Sequence, residues 1–477
     1  MTVVFEESEL LTALRGFNPW WSGETPELPS FHRLAFHVCL NHLRNPELQR
    51  AVLLSGPRRV GKTTILQQIA AHLILQDGRP PQSVLYLSLD HPLLKQAELP
   101  RLLGLYHSVI HPEGEGTTLL LDEVQYCREW DAHLKQLIDH HPEYRILATG
   151  SASLVQRHRL TDSGVGRWVR VPIPPLSFYE FLRIRGEALP NALLDLKPRE
   201  LFSKSQIELA DLAVHARPLL PAFQRYLLTG GFPETAKLEV RLAQRLLRED
   251  VIDRVLKRDM GALFGIRSTE DLERLFVYLC LHSGGIIAVK TCAAALETSA
   301  STISNYLSAL EQAGLIYRLP PIRVGGKKVL KARYKIYIAD AGLRNAILLR
   351  NETVLTDPDE LGLIVETAVL RHLFAYYYHD VPKIGYWREA GSKKEVDIVV
   401  RSPSYNIPVE VKYRDSAPLT GKEGLIRYCE QEEVTFGYFV TKQDRDFSVE
   451  ACGKGRVLRI PAHIFTYLIG QAETASV

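Results

Sequence analysis

The run Gly56-Pro57-Arg58-Arg59-Val60-Gly61-Lys62-Thr63 has the residue types and spacing of a phosphate-binding loop. In such a loop successive backbone N–H groups converge on an anion, the lysine neutralises the β- and γ-phosphates, and the following hydroxyl ligates Mg²⁺. The spacing assigns phosphate charge to Lys62 and the metal to Thr63, with Thr64 extending the cradle into a helix. An apolar run at 51–55 precedes the loop and a helix-like run at 65–75 follows it, the strand, loop and helix context this chemistry requires. The chain is expected to handle a nucleotide.

Hydrolysis also needs carboxylates. Residues 84–90 read as a buried strand, and 118–124 (TLLLDEV) as another that delivers Asp122 and Glu123 to the sheet edge. Asp122 is expected to hold Mg²⁺ through water, and Glu123 to orient or deprotonate the attacking water. An acid pair at a helix start is the plainer alternative. A third strand at 145–148 runs into Thr149-Gly150-Ser151, either a γ-phosphate reporter or a strand-end turn. Gly164-Val165-Gly166-Arg167 sets Arg167 in a glycine-flanked loop, as an arginine finger for a neighbouring subunit or as a solvated side chain.

A second constellation lies near the C-terminus. Glu366 sits in a helix-like run at 363–378, Asp397 near the start of a strand (EVDIVV), and Glu410 and Lys412 on the next strand (IPVEVKY). Strand alternation puts Glu410 and Lys412 on one face, so the carboxylate can bind metal while the ammonium positions or deprotonates water. Asp397 is a further ligand and Glu366 acts through a metal-bound water. These hard oxygens favour Mg²⁺ or Mn²⁺ over zinc.

The elements that must position these groups fill a chain of 477 residues, long enough for about three domains. A net charge of +3 does not by itself argue for nucleic acid. The cysteines, Cys39, Cys127, Cys280, Cys292, Cys429 and Cys452, have no metal-ligand spacing and read as reduced thiols. Glu6, Glu7 and Glu9 stand where a signal peptide carries basic residues, and no apolar run approaches a membrane span. A cytoplasmic protein without membrane contact is expected.

The stretches GPRRVGKTT, LLLDEVQYCREW, LATGSASL, GRWVRVPIPPLSFYEFL, LLTGGFPE and KARYKIYIADAGL resemble those of bacterial and archaeal AAA-type ATPases with a C-terminal domain of unknown function. The resemblance runs from about Asn18 to about Val440. It implies an additional-strand P-loop fold that binds ATP, with Gly56, Pro57, Arg58, Arg59, Val60, Gly61, Lys62, Thr63 and Thr64 around the nucleotide and Asp122, Glu123 and Arg167 in the roles above. Arg59 stands where many relatives have glutamine, which matters little at a position that contributes backbone N–H. Trp20 or Trp21 either packs on the adenine face or serves the core.

Residues 185–221 gather Pro190, Pro198, Pro218 and Pro221, so a mobile linker is expected, and the charge-laced helix that follows reads as a solvated connector. Runs at 272–281, 291–296 and 301–312 read as three helices with helix-turn-helix punctuation, and Ser301, Thr302, Ser304 and Asn305 could reach base edges. Strands at 315–319 and 329–338 would form a wing, with Arg323, Lys327, Lys328, Lys331, Arg333 and Lys335 as phosphate contacts. The order of the C-terminal elements resembles the PD-(D/E)xK nuclease fold.

The expected architecture is α/β: an AAA-type ATPase domain at 1–184, a linker and helical connector at 185–260, a winged helix at 261–350 and a restriction-endonuclease-like domain at 351–477. The expected function is ATP hydrolysis coupled to binding of DNA, with cleavage where the C-terminal acids converge, in a homo-oligomer such as a ring. The alternative is an ATP-switched protein-binding scaffold with an inactive nuclease-like domain.

Overall fold

The computed structural model describes residues 6–150, 166–322 and 333–475, apart from positions 390, 393 and 422. The chain divides into two compact units, the first running to Ile173 and including Gln312–Gly314, the second holding Pro174–Glu311 and the described residues from Leu315 onward.

The first unit is built on five parallel strands, β1 (Ala51–Ser55), β2 (Val84–Ser88), β3 (Thr117–Asp122), β4 (Tyr144–Gly150) and β5 (Trp168–Pro172), in the order β2-β3-β4-β1-β5. β1 and β3 are buried along their whole length, which is why each carries an unbroken apolar run, 51–54 in β1 and 119–121 in β3. β4 stands between the strand that feeds the phosphate loop and the strand that carries the acids, the additional-strand order that the resemblance implies. Because the strands are parallel, the C-terminal ends of β1, β3 and β4 share one edge, and the helix Lys62–Leu75 leaves from it. Gly56 is demanded by packing: a Cβ there would lie 2.2 Å from the Ile173 carbonyl oxygen.

The indoles of Trp20 and Trp21 both donate to the Val84 carbonyl, at 3.0 and 3.1 Å. Val84 begins β2, whereas the acids sit where parallel strands end. The tryptophans serve the core at the far edge of the sheet and not an adenine.

In the second unit the stretch expected to be a mobile linker is folded. The helices Gln206–Ala216 and Leu219–Thr229, with turns at Asn191–Leu193 and Pro198–Ser203, bury Leu193, Leu201, Phe202 and Phe223 in a core shared with Ile464 and Phe465 of the helix Ala462–Thr474. The prolines that suggested breaks mark helix starts: Pro198 opens its turn and Pro218 directly precedes Leu219.

The helices Thr269–Leu281, Val289–Ala295 and Ala300–Gln312 follow, with strands β6 (Gly285–Ile287), β7 (Ile316–Leu319) and β8 (Tyr334–Ile338) in antiparallel order β6-β8-β7. The three-residue β6 escaped the sequence reading. Then come the helix Pro358–Tyr376, strands β9 (Lys383–Arg388), β10 (Glu395–Arg401) and β11 (Asn406–Lys412), the helix Gly424–Glu432, and strands β12 (Phe436–Thr441), β13 (Ser448–Cys452) and β14 (Gly455–Pro461). They form one sheet in the order β13-β14-β12-β11-β10-β9, with β9, β10 and β11 an antiparallel meander and β12 parallel to β11.

Two of the stretches that carry the family resemblance meet in this unit. Asp340 accepts from the backbone N–H of Gly231 at 2.9 Å and of Gly342 at 2.8 Å, capping the helix Ala341–Leu348. Gly230 has φ of 75°, and a Cβ there would fall 2.1 Å from the Asp340 carboxylate. The glycines of LLTGGFPE are therefore a packing requirement. Among the described residues no helix is long and apolar enough to cross a membrane, and all six cysteines are buried and free.

Candidate functional site

The phosphate loop turns through two left-handed residues, Arg59 at φ 65° and Gly61 at φ 93°. Inside the turn Lys62 is buried, and its ammonium donates to the carbonyls of Gly56 at 3.1 Å and Pro57 at 2.9 Å. No carboxylate among the described residues forms an ion pair with it. Arg58 donates to the Tyr126 hydroxyl at 2.9 Å, and Arg33 to the Val60 carbonyl at 2.9 Å. Both arginines brace the outside of the turn.

Asp122 is buried at the end of β3 and receives three hydroxyl donors. Thr63 donates to one carboxylate oxygen at 2.7 Å and Tyr86 to the same oxygen at 3.0 Å, while Thr149 donates to the other. Burial and the Glu123 charge push the Asp122 carboxyl up, against the pull of these hydroxyls. Burial and Asp122 also raise the Tyr86 phenol, which keeps it a donor. The Glu123 N–H donates to the Thr149 hydroxyl at 3.0 Å, so one side chain on β4 touches both members of the acid pair. Glu123 stands at φ 54°, a left-handed turn that ends the strand, and its carboxylate accepts from the Gln125 amide. Sequence reasoning missed Tyr86. Its signal was a phenol among the leucines of the run 84–90, one strand from the acids.

The C-terminal acids take a different arrangement from the expected one. The register in which Ile398 pairs with Val409 carries Asp397 alongside Glu410. Lys412 and Glu410 do share a face, 3.1 Å apart, and the other Glu410 oxygen accepts from the Leu425 N–H at 2.9 Å. Asp397 accepts from the Val411 N–H at 2.9 Å with one oxygen and from Lys335 at 3.1 Å with the other. Lys335 arrives from β8, is buried, and also pairs with Glu395 at 2.6 Å and Glu366 at 3.4 Å. The Tyr337 hydroxyl donates to the same Glu366 oxygen. Among the described residues no group of three or more His, Cys, Asp or Glu side chains takes up a metal-holding arrangement. Burial and the Asp397 charge push the Glu366 carboxyl up to about 7. Burial would also raise Asp397, but Lys335 and Lys412 outweigh it and hold that carboxyl below its ordinary value. Lys335 and Glu395 were not read as members of this cluster.

Residues 48–182 match the family model described as "AAA domain". This stretch is an AAA-type P-loop ATPase domain. Residues 220–354 and 361–463 of the second unit match two models described as "Domain of unknown function", DUF8612 and DUF4143. An uncharacterized protein of Haemophilus influenzae is 26% identical over 370 residues, 76% of this chain and 82% of the relative. An uncharacterized protein of Methanocaldococcus jannaschii is 28% identical over 366 residues, 74% of this chain and 73% of the relative. The solved ORC2 protein of Aeropyrum pernix, in ADPNP and ADP complexes, covers 68% of this chain and 97% of its own at 15% identity, with a TM-score of 0.33. A likeness that slight carries no argument.

In the AAA-type domain Arg167 lies away from the phosphate loop. Its carbonyl accepts from the Ala51 N–H at 3.0 Å, at the start of β1, roughly 16 Å along the strand from the edge that carries the loop. Its guanidinium makes a two-point contact with Asp139, at 2.7 and 3.0 Å. Ser151 and residues 164–165 lie outside the described residues, as do Arg323, Lys327, Lys328 and Lys331 of the expected basic wing. Of that wing Arg333 is exposed, while Lys335 has gone into the acid cluster.

Proposed function

We propose that the chain hydrolyses ATP at its phosphate loop and uses the cycle to act on DNA through the second unit. The observation that carries the first half is the Lys62 ammonium, buried among backbone carbonyls without a carboxylate partner among the described residues. A buried cation without a counter-charge is costly, and a nucleotide phosphate supplies that charge. Thr63 and Asp122, hard oxygens 2.7 Å apart, fit Mg²⁺. Bound ATP and Mg²⁺ would bring the γ-phosphoryl group and neutralise its developing charge. Lys62 then binds phosphate, Thr63 and Asp122 hold the metal, and Glu123 orients the attacking water while Gln125 and Thr149 fix its position.

For DNA the support is the exposure of Ser301, Ser304 and Asn305 on the helix Ala300–Gln312, third in a set of helices followed by antiparallel strands, as in a winged helix. The helix, three-strand meander, helix and parallel strand that follow keep the PD-(D/E)xK order, which supports a nuclease-like fold. Two readings divide on its acids. Asp397, Glu410, Lys412 and Glu366 cleave DNA with Mg²⁺ or Mn²⁺, or the fold is an inert platform, for protein in the alternative reading. The seat of Lys335 among the acids favours the inert platform. The buried free thiols suit a cytoplasmic setting.

The test is ATP turnover with and without single-stranded, duplex and branched DNA, together with gel shifts over a salt series. Counterion release gives DNA binding a steep salt slope. Absence of turnover sinks the first half of the proposal. Turnover indifferent to every DNA, with no salt-sensitive shift, sinks the second half and leaves the protein scaffold.

A further inference from the structure

We propose that Lys335 is the resident cation of the second unit's acid pocket, held between Glu366, Glu395 and Asp397 in place of a divalent metal, and that this pocket is closed to metal-dependent cleavage.

The pocket is assembled from three elements. β10 supplies Glu395 and Asp397, the helix Pro358–Tyr376 supplies Glu366, and β8 supplies Lys335. The ammonium contacts one oxygen of each acid, at 2.6 Å for Glu395, 3.1 Å for Asp397 and 3.4 Å for Glu366. Mg²⁺ or Mn²⁺ bound by these acids would need oxygens at about 2.0–2.2 Å around the same centre. Both oxygens of Asp397 and both of Glu410 already have N–H or ammonium partners. The expected metal therefore does not fit the residues as they are placed.

Nor can the ammonium easily withdraw. β8 is the central strand of its sheet, and Lys335 pairs with Ile286 on one side and Leu319 on the other. Its side chain is 4% exposed, so leaving the acids would strand a charge in the interior. Tyr337, two residues along on the same face, donates to Glu366, so β8 brings two donors to the pocket. A tethered cation competes with dissolved metal at a high effective concentration. This inference depends on neither ATP hydrolysis nor DNA binding.

The test is Mn²⁺ binding to full-length, nucleotide-free protein, followed by loss of the free-ion electron paramagnetic resonance signal. Wild type and Asp397→Asn are expected to titrate alike. Lys335→Met keeps the aliphatic stem, removes the charge, and is expected to gain a Mn²⁺ site at least about 10-fold tighter than any in wild type. Adding Asp397→Asn to Lys335→Met should remove that site. Wild-type Mn²⁺ binding that Asp397→Asn abolishes overturns the proposal, as does wild-type DNA cleavage abolished by the same change. A folded Lys335→Met protein that gains no site overturns it too. Should Lys335→Met fail to fold, the comparison of wild type with Asp397→Asn decides alone.

Discussion

At the scale of single residues the phosphate site separates charge from positioning. Lys62→Ala should lose nucleotide binding. Glu123→Gln should bind normally and turn over about 10²-fold or more slowly, because the amide cannot accept a proton. Nucleotide titration beside steady-state turnover checks the pair, and wild-type-like turnover in Glu123→Gln removes Glu123 from the reaction. Thr149 is a positioning residue, since its hydroxyl links the Asp122 carboxylate to the Glu123 backbone. A hydrogen bond to a charged group contributes ~1.5–3 kcal/mol, so Thr149→Ala should lower kcat about 10- to 100-fold with little change in nucleotide affinity. A change confined to affinity would contradict that role. Lys62, Thr63, Asp122 and Glu123 were legible because their spacing within a few residues is the signal. Lys335 was not, because a lysine in a basic stretch reads as a phosphate contact. Its neighbours Ile336, Tyr337 and Ile338 are all buried, and a lone charge in a strand covered on both faces needs a counter-charge from elsewhere in the chain.

At the scale of elements, β1 to β4 were legible nearly end to end, since buried parallel strands are uniform apolar runs between turn signals. The packing of residues 185–229 was not. Their helices are short and bury their apolar faces against a C-terminal helix far away in sequence, which local patterning cannot reveal. That core also holds polar groups. Arg371 pairs with Glu473 at 3.1 Å and donates to the Pro175 carbonyl at 2.8 Å, while the His372 ring accepts from the Phe178 N–H at 2.8 Å. Burial and the Arg371 charge hold His372 well below its ordinary range. Burial also pulls His463 down to about 4, although Asp444 at 3.8 Å opposes the shift. Both histidines stay neutral in the folded chain, whereas the unfolded chain takes up protons near pH 6.5. Their contribution is complete above about pH 6.5 and is lost as pH falls toward the folded values, by up to ~1.4 kcal/mol per pH unit for each group. Urea midpoints should therefore drop between pH 7 and pH 5, and His463→Met should flatten the drop. Equal slopes in wild type and His463→Met would show that His463 plays no part.

At the scale of the whole molecule, the distance of Arg167 from its own phosphate loop decides what kind of catalyst it can be. At the opposite edge of the sheet it cannot reach the γ-phosphate of its own chain, so any catalytic role requires a second copy. Its two-point pairing with Asp139 leaves the Arg167 side chain 30% exposed, accessible to a neighbour that offers a stronger anion. We propose a homo-oligomer, a ring or a smaller assembly, in which Arg167 of one copy meets the nucleotide of the next. A finger supplied in trans is worth ~10³-fold or more in rate, since it meets charge that develops only in the transition state. Glu123→Gln and Arg167→Ala should then each be nearly inactive alone. In a randomly mixed 1:1 assembly about one interface in four combines an intact Glu123 with an intact Arg167, so turnover should recover to about a quarter of the wild-type rate. Retention of untagged Glu123→Gln chains on an affinity-tagged Arg167→Ala chain establishes that the two variants assemble together. Co-assembly without recovered turnover removes Arg167 from the reaction and leaves it as the partner that ties the start of β5 to the helix Trp130–His140 through Asp139.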